Sequence, residues 1–253
     1  MHPDFDIDGR VAIITGAGQG IGRAYARYFA EAGATTVVAE LDPAKGEAVA
    51  REIVKAGGKA KAIPTDVADW RSVDNMAKAT LDAFGRIDIL INNAGLFTQV
   101  TRGVFDTLPL EEWDRVMQVN VTGSFLCARA VVGAMRKAGW GRIINISSAT
   151  VGMGRPNLLH YVTSKAAVVG MTRSMARELG PDGITVNALM PGLTKTEVDF
   201  ASDAVFRSIV ELQAIKRSET PDDLAKVLLF LASPASGFIT GQCIAVDGGT
   251  IHL

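Results

Sequence analysis

Cysteine, histidine and aromatic residues are scarce in this 253-residue chain: two Cys, three His, and Phe, Trp and Tyr together at 6%. Cys127 and Cys243 stand far apart in apolar surroundings. That pattern reads as two buried thiols in a reducing compartment and excludes a disulfide framework. His2, His160 and His252 have no ligand spacing, so no metal site is expected. Charge of one sign is missing too, since 26 Lys and Arg face 27 Asp and Glu for a net −1. Without a basic cluster, nucleic acid and anionic membrane surfaces are not expected partners. The opening "MHPDFDIDGR" is acidic and lacks the apolar core of a secretory signal, and no run reaches the roughly 20 apolar residues of a membrane span. A soluble cytoplasmic protein is the expectation.

What the chain does have is alternation. Short β-branched runs at 10–15, 35–40, 59–64, 87–92, 141–147, 184–190 and 243–247 are separated by amphipathic stretches such as "GRAYARYFAEAG" and "DWRSVDNMAKATLDAFG". Strands of the "AIIT" and "ILIN" type are apolar on both faces, as a parallel sheet covered on each side requires. Gly33, Gly57, Gly58 and Gly85 close helical runs, and Asp69, Asp182 and Thr220-Pro221 read as turn or N-cap positions. No linker, repeat or low-complexity tract divides the chain. The expected fold is α/β: a single Rossmann-type domain over 1–253, a doubly wound seven-stranded parallel sheet with helices on both faces. The long connection 193–217 mixes small, aromatic and charged residues and is expected to form a substrate lid.

"TGAGQGIG" follows the first strand and opens the first helix. It does not satisfy G-x-G-x-x-G in any frame; its glycines are Gly16, Gly20 and Gly22 of a T-G-x-x-x-G-x-G spacing. Glycines there let the backbone turn tightly and let a pyrophosphate approach the N–H groups at the helix start, so Gln19, Gly20, Ile21 and Gly22 are candidate contacts. Glu40 lies 18 positions after Gly22, at the end of the second strand, where a carboxylate can accept both adenosine ribose hydroxyls and repel a 2′-phosphate. Leu41 follows it and Gln19 fills the loop, so no cation is expected there and NAD is favoured over NADP. Asp66 and Val67, then Asn93, Ala94 and Gly95 of "NNAG", fall at carboxyl ends of strands. Asp66 suits the adenine amino group and Val67 its ring, although Asp66 also suits a turn cap and Asn92-Asn93 a loop brace.

In "HYVTSK", Tyr161 and Lys165 are four apart and share a helix face. Alone they fit best a half-buried tyrosine beside a solvated lysine. The ordered set T-G-x-x-x-G-x-G (15–22), N-N-A-G (92–95), Ser-Ser (147–148), Y-x-x-x-K (161–165) and P-G (191–192) resembles the short-chain dehydrogenase/reductase family over essentially the whole chain. The resemblance implies Tyr161 as general acid/base, Lys165 as the neighbour that favours phenolate and holds the nicotinamide ribose, and Ser148, thirteen positions before Tyr161, as the hydroxyl on the substrate oxygen. It leaves Ser147 structural. It implies that Asn120 anchors a water behind the lysine, where the residues alone also allow a helix kink. Pro191, Gly192, Leu193 and Thr194 resemble the turn that binds the nicotinamide carboxamide, with Thr196 as its hydroxyl partner.

The implied activity is NAD(P)-dependent interconversion of a secondary alcohol and its ketone. Leu96, Phe97, Val151, Met153, Leu193 and Phe200 flank the catalytic positions and are mostly apolar, which favours a hydrophobic or aromatic small-molecule substrate. A 3-oxoacyl thioester reductase of the same family is the alternative, and a non-catalytic nucleotide-binding regulator a further one. The family also implies a homotetramer. His160 has no role in this reading.

Overall fold

In the computed structural model, which describes residues 3–198 and 201–252, seven strands form one parallel sheet in the order β3-β2-β1-β4-β5-β6-β7. They are β1 Val11–Thr15, β2 Thr35–Glu40, β3 Lys59–Pro64, β4 Ile89–Asn92, β5 Gly141–Ile146, β6 Ile184–Pro191 and β7 Cys243–Val246. Nine α-helices intervene among the described residues: α1 Gly20–Glu31, α2 Pro43–Lys55, α3 Trp70–Phe84, α4 Leu110–Met117, α5 Gly123–Ala138, α6 Thr150–Met153, α7 Leu159–Leu179, α8 Asp203–Leu212 and α9 Pro221–Ala232. Every expected strand is present, with ends shifted by at most two residues.

Alternation along each strand divides the core in two. Ala12 and Ile14 of β1 join Phe29 of α1, Val49 of α2 and Leu224 and Leu228 of α9 on one face. Val11 and Ile13 join Val73 and Met76 of α3, Leu126 and Val131 of α5 and Ala176 of α7 on the other. Truncating one such Leu or Ile to Ala would cost about 2–5 kcal/mol, because the tightly packed surroundings collapse only in part. The helix stops work as their glycines suggest: Gly33, Gly57 and Gly85 have φ of 90°, 90° and 73°. Gly58 is not in that left-handed region. Asp69 caps α3 by accepting from the Arg71 amide, and Thr220 opens α9 in a capping box with Asp223.

A π-helical turn at Gln118–Thr122 joins α4 to α5, so that Leu110–Ala138 is a continuous helical run. An 18-residue stretch of it reaches a mean hydropathy of 1.2, enough for a membrane span by length and composition alone, although charged residues interrupt it and no unbroken apolar run of about 20 residues is present. Val116, Leu126, Cys127, Val131 and Met135 are among its buried positions, those of α5 packing on the sheet, whereas Leu110 and Phe125 are exposed.

The strand order reverses between β1 and β4. Ligands of such sheets bind in the crevice that opens there at the carboxyl ends, and all of the glycine loop, the "NNAG" turn and the ends of β5 and β6 meet at that edge.

Candidate active site

One cavity of about 820 Å³ runs along this edge. At one end the glycine loop leaves β1 with Gly16 and Gly20 at φ of 61° and 59°, a region that side chains strain to occupy. The contacts leave no space either. A Cβ on Gly22 would lie 2.2 Å from the Gly16 carbonyl oxygen, and one on Gly16 would lie 2.8 Å from Ala94 Cα. Loop, helix and "NNAG" turn therefore touch backbone to backbone, forming the bare cradle a dinucleotide needs. Asn93 secures it: its side-chain amide donates to the Thr15 and Gly16 carbonyls at 2.9 and 3.1 Å.

Glu40 reaches back over the loop, with Oε2 accepting the Gly18 amide at 2.8 Å and Oε1 the Asp42 amide at 3.2 Å. Gly18, absent from the sequence-based site, matters because a Cβ there would lie 2.7 Å from Glu40 Cγ. The expected absence of a cation beside this loop is corrected: the Lys45 ammonium donates to Gln19 Oε1 at 2.7 Å. Lys45 sits on α2, five positions from Glu40, and folding rather than adjacency brings it to Gln19. Asp66 does cap its turn, accepting from the Ala68 amide at 2.9 Å, and it also lines the cavity with Val67, Leu41, Ile21 and Gly95.

A second carboxylate was invisible in the sequence. Glu197 Oε1 accepts the Gly20 amide at 2.9 Å and lies 3.4 Å from an Arg23 nitrogen. The first N–H groups of a helix lack intrahelical partners and carry partial positive charge, which is why an anion settles there.

Toward the other end, Tyr161 and Lys165 project from α7 and Ser148 follows β5. All three are buried and all line the cavity. The Lys165 ammonium donates to the Ile146 carbonyl at 2.8 Å and lies 5.8 Å from the Tyr161 ring centre. Burial pushes Lys165 down to about 8, since removal from water disfavours its charge. Burial also pushes the Tyr161 phenol up to about 12, against an opposing hydrogen bond with Ser148. In the protein by itself burial therefore moves Tyr161 away from phenolate, and the pull toward phenolate expected of Lys165 acts together with the positive charge of an oxidised nicotinamide. Ser148 Oγ accepts from the Thr150 hydroxyl at 3.0 Å, while Ser147 donates to the Lys165 carbonyl at 2.8 Å and braces α7 on β5.

Asn120 lies behind the cavity, outside its lining. Its Oδ1 accepts the Leu96 amide at 2.7 Å, and its Nδ2 donates to Ser164 Oγ at 3.0 Å. The helix irregularity expected here is the π-helical turn, and the Asn120 backbone carbonyl accepts the Ser124 hydroxyl at 2.9 Å. The Phe97 ring packs on Tyr161 with centres 4.9 Å apart. Leu96, Met153 and Leu193 line the cavity as well. Val151 does not, because on the short helix α6 positions 150 and 153 share the inner face and 151 is turned away. Phe200 lies outside the described residues.

Pro191, Gly192, Leu193, Thr194 and Thr196 line the cavity beside this cluster. Buried Glu219, another residue the sequence did not single out, accepts the Gly192 amide at 2.9 Å and the Thr194 hydroxyl. His160 also gains a partner: its Nε2 lies 3.1 Å from Glu112 Oε1, which accepts the Thr101 amide too.

A phosphate-sized cradle at a switch point, with a buried Ser-Tyr-Lys cluster beside it, defines a nucleotide-dependent enzyme of the doubly wound α/β class. A family model described as enoyl-(acyl carrier protein) reductase matches residues 16–251. A hydroxy(phenyl)methylsuccinyl-CoA dehydrogenase subunit from Thauera aromatica is 42% identical over 96% of this chain and 97% of its own length. A 3-oxoacyl-acyl-carrier-protein reductase from Synechocystis is 42% identical over the same shares. Among solved structures, a 7α-hydroxysteroid dehydrogenase complexed with NADH and 7-oxo glycochenodeoxycholic acid superposes with a TM-score of 0.93 at 33% identity, covering 100% of this chain and 98% of that one. A Brucella melitensis 3-ketoacyl-acyl-carrier-protein reductase complexed with NADH gives 0.88 at 37% identity, over 96% and 98%. The chain belongs to the short-chain dehydrogenase/reductase family, and it is an oxidoreductase of that family's nicotinamide-dependent kind.

Proposed function

We propose that this protein interconverts a secondary alcohol bearing a bulky apolar group with the corresponding ketone, using NAD(H). The observation that carries the reading is Tyr161, whose hydroxyl is engaged by Ser148 and whose ring lies against Phe97, in a cavity continuous with the glycine cradle. A bound nicotinamide takes up or supplies the hydride. The chain's own residues do the rest. Ser148 Oγ hydrogen-bonds the substrate oxygen, and Tyr161 Oη takes its proton in oxidation or gives one in reduction. Protonated Tyr161 is ready to donate to a ketone; in oxidation it must first lose its proton, and the positive charges of Lys165 and oxidised nicotinamide favour that loss. Asn120 holds the turn after β4 and the first turns of α7 in register. The segment 193–217, which includes α8, closes over the substrate as a lid.

Glu40 supports NAD over NADP because its carboxylate faces the place where a 2′-phosphate would sit; Lys45 works in the other direction. Comparing kcat/KM with NAD⁺ and NADP⁺ decides, and a clear preference for NADP⁺ would sink the assignment. Exposed Leu110, Phe125 and Leu159 on α4, α5 and α7 support a homotetramer, which light scattering checks.

A second reading, an acyl thioester as substrate, is favoured by Arg102, Arg115 and Arg155. These line the cavity and have no ion pair among the described residues, and coenzyme A carries phosphates. The relatives from Thauera and Synechocystis, named for thioester substrates, point the same way. The test is a screen of neutral aryl and alicyclic secondary alcohols against 3-hydroxyacyl-CoA esters with NAD⁺, followed by the reduced-nicotinamide absorbance. Turnover of thioesters alone would replace the first reading, and NADH binding without any turnover would favour a nucleotide-binding regulator.

A further inference from the structure

Glu219 immediately precedes the N-cap of α9, is 4% exposed, and has no cationic partner at salt-bridge distance among the described residues. Three of its groups converge on one short loop. Oε2 accepts the Gly192 amide at 2.9 Å, Oε1 accepts the Thr194 hydroxyl, and its backbone carbonyl accepts the Lys195 amide at 2.9 Å. The approach depends on a bare backbone, for a Cβ on Gly192 would lie 2.7 Å from Oε2. The charged groups around it give little relief. Asp223 is engaged with Arg217 at 2.6 Å, Asp247 accepts amides of its own turn, and the Tyr25 hydroxyl is buried with no hydrogen-bond partner among the described residues. A carboxylate kept in such a place costs folding free energy, so packing alone does not account for it.

We propose that Glu219 is a positioning residue for the nicotinamide end of the cavity, fixing which way the Thr194 hydroxyl points its proton. An ionised carboxylate only accepts, so a hydroxyl bonded to it must donate. Thr194 is then left with lone pairs toward the cavity, where it can accept from the amino group of a carboxamide but cannot donate to its carbonyl. One carboxylate thereby selects one of the two orientations of the carboxamide and, through it, the ring face offered to the substrate. Burial pushes Glu219 up to about 7, against the Thr194 and Gly192 hydrogen bonds, so ordinary pH changes reach this contact.

The inference rests on the reading that the turn after β6 meets the nicotinamide, and the test separates the two. Dissociation constants for NADH, by fluorescence, and for ADP-ribose, which lacks the nicotinamide, are measured on wild-type protein, Glu219→Gln and Thr194→Val. Glutamine is isosteric but keeps only one acceptor oxygen, so if that oxygen takes the Gly192 amide its NH₂ faces Thr194 and reverses the hydroxyl. Both variants are expected to weaken NADH about tenfold, or about 1.4 kcal/mol, and to leave ADP-ribose within about twofold. Equal weakening of both ligands, or of neither, overturns the proposal. Wild-type protein that binds NADH no better than ADP-ribose overturns the underlying reading instead. Should Glu219→Gln not fold, Thr194→Val must still show the NADH-selective loss, and its absence is decisive against the role.

Discussion

Glu197 and Gly20 stand 177 positions apart in the chain, yet the carboxylate of one accepts the backbone amide of the other at 2.9 Å, at the first turn of α1. Cofactor pyrophosphate needs those same helix-terminal N–H groups. Glu197 therefore competes with it by occupancy and by charge. Glu197→Gln is expected to tighten NADH severalfold, with the difference shrinking at high salt as screening rises. Titration calorimetry at two ionic strengths checks this, and weaker binding by the variant would mean that Glu197 supports the cofactor.

Loss of the Tyr161 hydroxyl should remove proton transfer and little else. Tyr161→Phe keeps the ring against Phe97, so NADH affinity and melting temperature should stay close to wild type while kcat falls about 10²–10⁴-fold. Steady-state rates beside a binding titration measure both. Surviving turnover would refute the assigned role.

Lys165 is held at about 8 by burial, so in the folded state its charge is disfavoured. Between about 8 and its ordinary value the unfolded chain binds more protons, and wild-type stability gains from rising pH across that window. Lys165→Met has no such charge. It should exceed wild type by about 1 kcal/mol at pH 7, after loss of the bond to the Ile146 carbonyl, and the advantage should vanish toward pH 10. Urea unfolding at both pH values tests the sign, while activity is lost throughout.

Glu112 ties the loop after β4 to the first turn of α7 through Thr101 and His160. Phe97 belongs to the same loop, so freeing it should disturb the substrate end and spare the nucleotide end. Glu112→Gln is expected to raise substrate KM a few-fold with kcat and NADH affinity nearly unchanged. An equal loss in NADH binding would show instead that α4 as a whole has shifted.

Much of this molecule was legible because its signals are local. Strands apolar on both faces dictate a covered parallel sheet. The glycines at 16 and 22 are required by backbone contacts too close for any side chain and that at 20 by its positive φ, and four-residue spacing on a helix puts Tyr161 beside Lys165. Val151 was misjudged because nearness in sequence to a catalytic serine does not fix which way a helix turns its side chains.

The sequence by itself determined the architecture and the cradle, since both follow from periodicity and local glycine spacing, while the Ser-Tyr-Lys cluster was legible only through the family resemblance its motif order carries. Only tertiary structure decided the electrostatics. The upward shift of the Tyr161 phenol follows from desolvation, which depends on everything packed around it. Lys45 at Gln19, Glu197 at Gly20, Glu112 at His160 and Glu219 at Thr194 are pairs of ordinary residues separated by 25 to 177 positions. No pattern announces such pairs, because the distance that gives a charge its effect exists only once the chain has closed on itself.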